Sequence, residues 1–321
     1  MPAYPEFGTA DQVELDAAAI FQITRHLHDQ FPRSAGGILL GMELEGTIEV
    51  TETFPLPPSA SEGDGSNLRS KAILEYQSQM IEQLKQVGSD TQIQGWYVSS
   101  SLGAIYEQSF LDNMFFYQQQ NRDAVMIVHD VAMSRETSTL VLKAFRLSQQ
   151  YLSARRENKF TTESLETNNL DFHDLLEELP IRVHNSCLTN LLSTQNSQQV
   201  PTLKQLEVPN RTLVENNIED ILDSIDDFNY DQNNYNYYQR QLIREKQKVH
   251  AWQQRRRAEN AALEAAGKPT QSVEEWKVLF KLPEEPSRLD NLLISAQLHE
   301  YCEQIEELAA VASTNLVAPK F

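Results

Sequence analysis

Residues able to do chemistry are few in this chain and widely spread. His129 and Asp130 close the apolar run DAVMIVHD, where a histidine could orient a base, although a strand-end imidazole satisfied by a backbone group is the commoner arrangement. His184 and Cys187 have the spacing of a base and a nucleophile, both at the start of one predicted helix. No third group to orient that imidazole follows from the sequence, so a buried thiol is expected. Ser99, Ser100 and Ser101 lack the flanking glycines of a nucleophile elbow and read as a loop. In REKQKVHAWQQRRRAEN, the cations Arg244, Lys246, Lys248, Arg255, Arg256 and Arg257 surround Trp252. Cations for phosphate and an aromatic for a base make this the candidate RNA contact. A solvated face that neutralises an acidic neighbour is the ordinary reading of such a run.

Composition narrows the classes further. Across 321 residues, 27 basic against 46 acidic side chains give a net charge of −19, which opposes wrapping duplex nucleic acid over the whole surface because phosphate is repelled. The two cysteines, Cys187 and Cys302, form no CxxC pair, so neither a disulfide framework nor a structural zinc site is indicated and a reducing compartment fits. The N-terminus lacks a basic segment followed by an apolar one, and no window approaches the ~20 apolar residues of a membrane span. A cytoplasmic protein without membrane contact is expected.

The elements that must position these residues are α/β in the first half. A strand near Val13 to Leu15 precedes a helix capped by Asp16, with Ala19, Ile20, Ile23 and Leu27 at helical spacing and an end near Pro32. GGILLGMELEGTIEVTETF reads as a hairpin turning at Glu45 and Gly46, and a helix follows over Lys71 to Val87. Then come a strand over Gln94 to Ser99, a helix near Leu111 to Tyr117, the buried strand of DAVMIVHD, and a strand across STLVLKAFRL. A last strand is expected at Leu179 to Val183, before a helix. From Asn210 onward Val214, Ile221, Phe228, Tyr235, Leu242 and Val249 recur every seven residues, with Ile218 and Ile225 completing the stripe of one long helix. Its weakest part is NYDQNNYNYYQRQ, rich in poor helix formers. The final helix carries Ile294, Leu298, Tyr301, Ile305, Leu308 and Ala312. Two such seams must be covered, by each other or by partner helices.

Two strings carry a family resemblance: GGILLG at 36 to 41 and GWYVSSSLGAIYEQSFLD at 95 to 112. They resemble the MPN (JAB1/MPN) family, in whose active members a glutamate precedes the glycine-bounded strand, and Gly-Trp-Tyr leads into His-x-His and then Ser-x-x-Asp. There two histidines and the aspartate hold zinc, and the glutamate acts as base on zinc-bound water, whose pKa falls to about 7. In this chain Ser34 stands at the glutamate position, and Val98 and Ser100 at those of the histidines. Ser109 and Asp112 remain, but with eight residues between Ser100 and Ser109 where the family has seven, so Asp112 is a shifted remnant. The resemblance therefore implies no catalytic residue, no metal and no cofactor, hence no enzyme.

The finer strings EELPIRVHNSCLTNLL, QQRRRAEN and PSRLDNLLISAQLHEYCEQI resemble, in order and spacing, the branch of the family found in translation initiation factor 3. What this implies is an MPN domain of mixed β-sheet flanked by helices over 1–155, a strand and helix extension over 156–200, and long C-terminal helices over 201–321 that join a helical bundle. It also implies a scaffold role on the small ribosomal subunit, pairing with a second MPN subunit (f) and with PCI-domain subunits. Val214, Ile218, Ile221, Ile225, Phe228, Leu242, Ile294, Leu298, Tyr301, Ile305 and Leu308 are the expected partner-helix contacts. Two alternatives are a scaffold of a proteasome-lid or signalosome-type complex, and a metal-dependent isopeptidase with an unusual ligand set.

Overall fold

Alternation of period two in the first half folds into strands whose two faces feed two separate cores. The computed structural model describes residues 9–57, 68–101, 103–137, 139–157, 159–196, 211–265 and 276–317. In chain order the elements are β1 (Gln12–Asp16), α1 (Ala17–Gln30), β2 (Gly36–Leu44), β3 (Thr47–Pro55), α2 (Lys71–Val87), β4 (Ile93–Ser100), α3 (Gln108–Gln120), β5 (Val125–Asp130), α4 (Val131–Thr137) and β6 (Leu142–Leu147). There follow α5 (Gln149–Glu157), α6 (Thr162–Asn168), a 3-10 turn (Phe172–Asp174), β7 (Leu176–Leu179), β8 (Ile181–His184), α7 (Cys187–Asn196), α8 (Arg211–Ala265), α9 (Trp276–Leu279) and α10 (Leu289–Val317).

Local chemistry sets several of these limits. The Asp16 carboxylate accepts from the Ala18 amide at the start of α1. Ser70 caps α2 in the same way through Ile73 N, and Gly88, left-handed at φ 84°, ends it. Glu45 and Gly46, at φ 50° and 80°, make the hairpin turn between β2 and β3. The expected strand across 138–147 is shorter than its apolar pattern suggested, because Val131 to Thr137 continue β5 as a helix and pairing with β5 begins only at Leu142.

The sheet is mixed, in the order β7-β6-β5-β4-β2-β3-β1-β8. Its two edge strands are neighbours in sequence. The single strand expected at Leu179 to Val183 is split at Pro180, whose missing N–H cannot join a ladder. Before it, β7 pairs antiparallel with β6; after it, β8 pairs parallel with β1. Pro180 O accepts from Val13 N at 3.0 Å, and buried Arg146 on β6 donates to Ala10 O at 2.6 Å, so the two edges are tied together.

Two glycines of the family strings are required by strand approach. Gly41 lies at a register shift in β2, where a β-carbon would stand 1.8 Å from Glu49 O. Gly95, at φ 148°, would place one 1.8 Å from Val125 O. Along β4, Trp96 and Val98 enter the core covered by α2, α3 and α10, while Tyr97 enters the one covered by α1.

The 55 residues of α8 make a rod about 82 Å long. The Asn- and Tyr-rich stretch, doubtful by propensity, lies inside it. α8 packs against α10. The guanidinium of Arg288 sits 4.3 Å from the Tyr235 ring, and Asp220 is close enough to Tyr301 to help burial push that phenol up to about 12, so the two helices run antiparallel. The seams thus cover each other in part within one chain. α10 also enters the domain core: Leu289, Leu293 and Ala296 belong to the same cluster as Trp96, Val98 and Phe145. The C-terminal helices are therefore not packed apart from the rest of the chain.

Candidate functional site

Strand pairing brings the positions of interest together. Gly36 at the start of β2 pairs with Val98 on β4. Ser99 Oγ accepts from Ala35 N at 2.9 Å, which fixes exposed Ser34 beside the end of β4. Val98 is buried in the core and Ser100 is buried with its hydroxyl 3.4 Å from Ala104 O. The serines expected to form a loop lie in part on the strand: Ser99 and Ser100 are the last residues of β4, held by pairing with His129 and Asp130 of β5.

Asp112, on α3, is bonded to arginines. Arg155 Nη2 donates to it at 2.5 Å, and Arg69 lies 3.5 Å from its other oxygen. Arg155 is fixed in turn by Tyr151 OH at 2.7 Å and by the Phe115 ring, 4.5 Å from the guanidinium. Burial works against its charge, but Tyr151 and Asp112 outweigh that and hold its pKa above the ordinary value. A carboxylate neutralised in this way is a poor cation ligand, since a metal would have to displace the guanidinium. Among the described residues no group of three or more His, Cys, Asp or Glu side chains could hold a metal.

The mouth of this region is roofed by α10. Gln297 accepts from Ile105 N at 3.1 Å and Tyr106 N at 3.0 Å, and donates to Gly103 O at 2.8 Å. Lys143 on β6 meets Glu300 at 2.8 Å. Beneath them, between Ser100, Asp130 and Lys143, the free space is about 20 Å³, enough for one water molecule. Asp130 is raised above the usual carboxylate range by burial, against the opposing amides of Met133 and Gly103. His129 is fully buried; its Nδ1 meets Val141 O at 2.9 Å, and burial lowers its pKa.

Cys187 corrects an expectation. It is exposed on α7 and His184 ends β8, because the chain leaves the sheet after β8 and α7 stands outside the core. Leu188, Leu191 and Leu192 of α7 are exposed too.

On the helices, Val214, Ile221, Phe228 and Leu242 of α8 and Ile294, Leu298 and Ile305 of α10 are half-buried, while Tyr301 and Leu308 are buried. Ile218 and Ile225 are 46% and 38% exposed, and Leu222 between them 56%, so this second stripe is open. Of the basic residues, Arg244, Lys248, Arg255 and Arg257 are exposed. Arg256 is folded over the Trp252 ring, 5.1 Å away, and reaches Glu259 at 3.5 Å; Trp252 also faces Phe280. Sequence reasoning missed the inner face of α10. Leu289, Leu293 and Ala296 have helical spacing, but Glu300 and Gln304 continue that face and disguise it.

Comparison with known proteins follows the same division. Residues 9–123 match the family described as JAB1/Mov34/MPN/PAD-1 ubiquitin protease, and residues 136–320 match the family described as the C-terminal region of eIF3h. The second match takes in β6, β7 and β8, which complete the sheet, as well as the long helices. Among curated proteins, the chain is 44% identical to the H subunit of eukaryotic translation initiation factor 3 from Yarrowia lipolytica, covering 97% of this chain and 98% of the relative. It is 36% identical to the protein of that name in Coccidioides immitis and 37% to that of Pyricularia oryzae, in each case over 95% of this chain and 94% of the relative.

Proposed function

The chain belongs to the family formed by the H subunit of eukaryotic translation initiation factor 3, and from that premise we propose that it is a non-catalytic scaffold acting in translation initiation on the small ribosomal subunit. In this reading the MPN unit of 1–155 with its extension over 156–200 pairs with a second MPN subunit (f), and 201–321 supply helices to a bundle shared with PCI-domain subunits, in the cytoplasm. The observation that carries it is the contrast between Asp112, neutralised by Arg155, and the apolar stripe of Ile218, Leu222 and Ile225 left open on α8. The first supports loss of metal chemistry; the second supports a helix that receives a partner.

Affinity purification of the tagged chain from cytosol, with quantitative mass spectrometry, tests the proposal. Stoichiometric initiation factor 3 subunits are expected, including another MPN protein, and an Ile218→Asp, Ile225→Asp variant should lose the PCI-domain subunits. Recovery of proteasome-lid or signalosome subunits would replace this reading with a scaffold of a different assembly. Zinc near one mole per mole together with cleavage of ubiquitin chains would overturn the non-catalytic role.

A further inference from the structure

The charge of α8 is divided along its length. Between 214 and 231 there are seven acidic and no basic residues; between 240 and 257 there are seven basic and one acidic. On the rod this separates a negative segment from a positive one, in a chain whose net charge is −19. Successive members of the set Tyr230, Tyr237, Arg244, Lys248 and Arg255 are 7, 7, 4 and 7 residues apart. Each step is close to a whole number of helical turns, so all five side chains fall within about 40° of one another around the axis. This face is turned to solvent: Tyr230 is 70% and Tyr237 63% exposed, and the three cations are exposed as well. Lys281 adds a further cation across a groove of about 430 Å³ that Gln241, Arg244, Glu245 and Lys248 also line. Lys248 is bonded to Glu245 at 2.7 Å, which leaves Arg244 and Arg255 as the stronger anion contacts.

Tyrosines are ordinarily among the half-buried residues, and two of them exposed in line with cations on a face of α8 that α10 leaves open are unusual. We propose that this stripe binds single-stranded RNA, with Tyr230 and Tyr237 stacking on bases and Arg244, Arg255 and, more weakly, Lys248 contacting phosphates. An acidic protein surface would satisfy the cations but give the two phenol rings no flat partner. A duplex would satisfy the cations but keep its bases stacked on one another. The stripe spans about 37 Å, the reach of a single strand of about ten nucleotides. This inference goes beyond the scaffold role and stands without it.

The test is fluorescence anisotropy of the purified full chain with a labelled oligouridylate of about 12 nucleotides, a duplex of equal length, and polyglutamate as competitor. Binding of the single strand is expected to weaken between roughly 50 and 200 mM salt with a log–log slope of about −2, as three phosphate contacts give. Tyr230→Ala with Tyr237→Ala should weaken it about tenfold or more and leave the slope unchanged. Arg244→Glu with Arg255→Glu should abolish it. Exposed helix positions tolerate these changes, and circular dichroism checks that they do. Absence of binding at low salt, a tyrosine variant that binds like the parent, a duplex bound as tightly as the single strand, or polyglutamate competing as well as RNA would each overturn the proposal.

Discussion

At the end of β4 the polar groups are bonded within the chain, whereas α8 keeps most of its chemistry facing outward. Asp112 has Arg155 and Arg69, Asp130 has the amides of Gly103 and Met133, and the loop over 103–106 is fastened by Gln297. On α8 one seam is covered by α10, but Ile218, Leu222, Ile225, Tyr230 and Tyr237 are all exposed. Around Asp112 and Asp130 the carboxylates are held by the chain's own arginines and amides, and α10 lies across the loop over 103–106. On α8, by contrast, apolar and aromatic side chains stay in water over several turns.

Variants can break or sharpen this contrast. The largest effect is expected from deleting residues 286 onward, which removes Leu289, Leu293 and Ala296 from the core that holds Trp96. The loss should exceed about 5 kcal/mol and leave little soluble protein. A truncated chain that melts at the parent's temperature would show the roof to be dispensable.

Leu293→Ala alone should cost about 2–4 kcal/mol by cavity formation, read as a lower denaturation midpoint with an unchanged m-value. Asp112→Ala leaves Arg155 half-buried beside Tyr151 without its carboxylate and should cost about 1–3 kcal/mol. Were Asp112 poised for a metal instead, its removal would be nearly neutral.

A smaller effect comes from pH. His129 is buried neutral, with its pKa lowered by burial, so the unfolded state takes up a proton more readily than the folded one. Its contribution to stability is full above the unfolded value of 6.5 and is lost as pH falls below that towards the folded pKa. The slope should reach at most about 1.4 kcal/mol per pH unit. His129→Phe should flatten melting temperature between neutral and mildly acid pH relative to the parent. Smallest of all, Ile218→Ser with Ile225→Ser should change the stability of the isolated chain by no more than about 0.5 kcal/mol, as expected for positions already in water. A large loss would mean that this stripe is internal packing.

How much could be read in advance depended on whether the signal was local. The limits of α2 follow from Ser70 at one end and Gly88 at the other, and both act within a turn of where they stand. The places of Ser34, Val98 and Ser100 follow from the two glycine-bearing strings, which pair with each other: Gly37 lies opposite Tyr97, and Leu39 opposite Gly95, as β2 runs along β4. What stayed hidden was made by distance. Arg155 reaches Asp112 across 43 residues, and nothing near either announces the pair. Cys187 looked like a buried thiol because the apolar residues around it suggested a packed helix, yet α7 leaves three leucines in water. The inner face of α10 was masked by Glu300 and Gln304, which are polar because they meet Lys143 and Gly103 and so break the apolar pattern just where it does most.

That inner face has a bearing on how the protein is made. Gln297 and Ile105 are 192 residues apart, and Leu289 follows the last residue of β6 by more than a hundred. At about 5–20 residues per second, a ribosome needs on the order of ten seconds between releasing β6 and releasing the helix that covers it. For that interval the face of β4, β5 and β6 bearing Val98, Val128 and Phe145 lacks its lid, and a chain that stops early never receives one. A chain terminated before residue 289 thus presents that uncovered apolar face to chaperones and proteases.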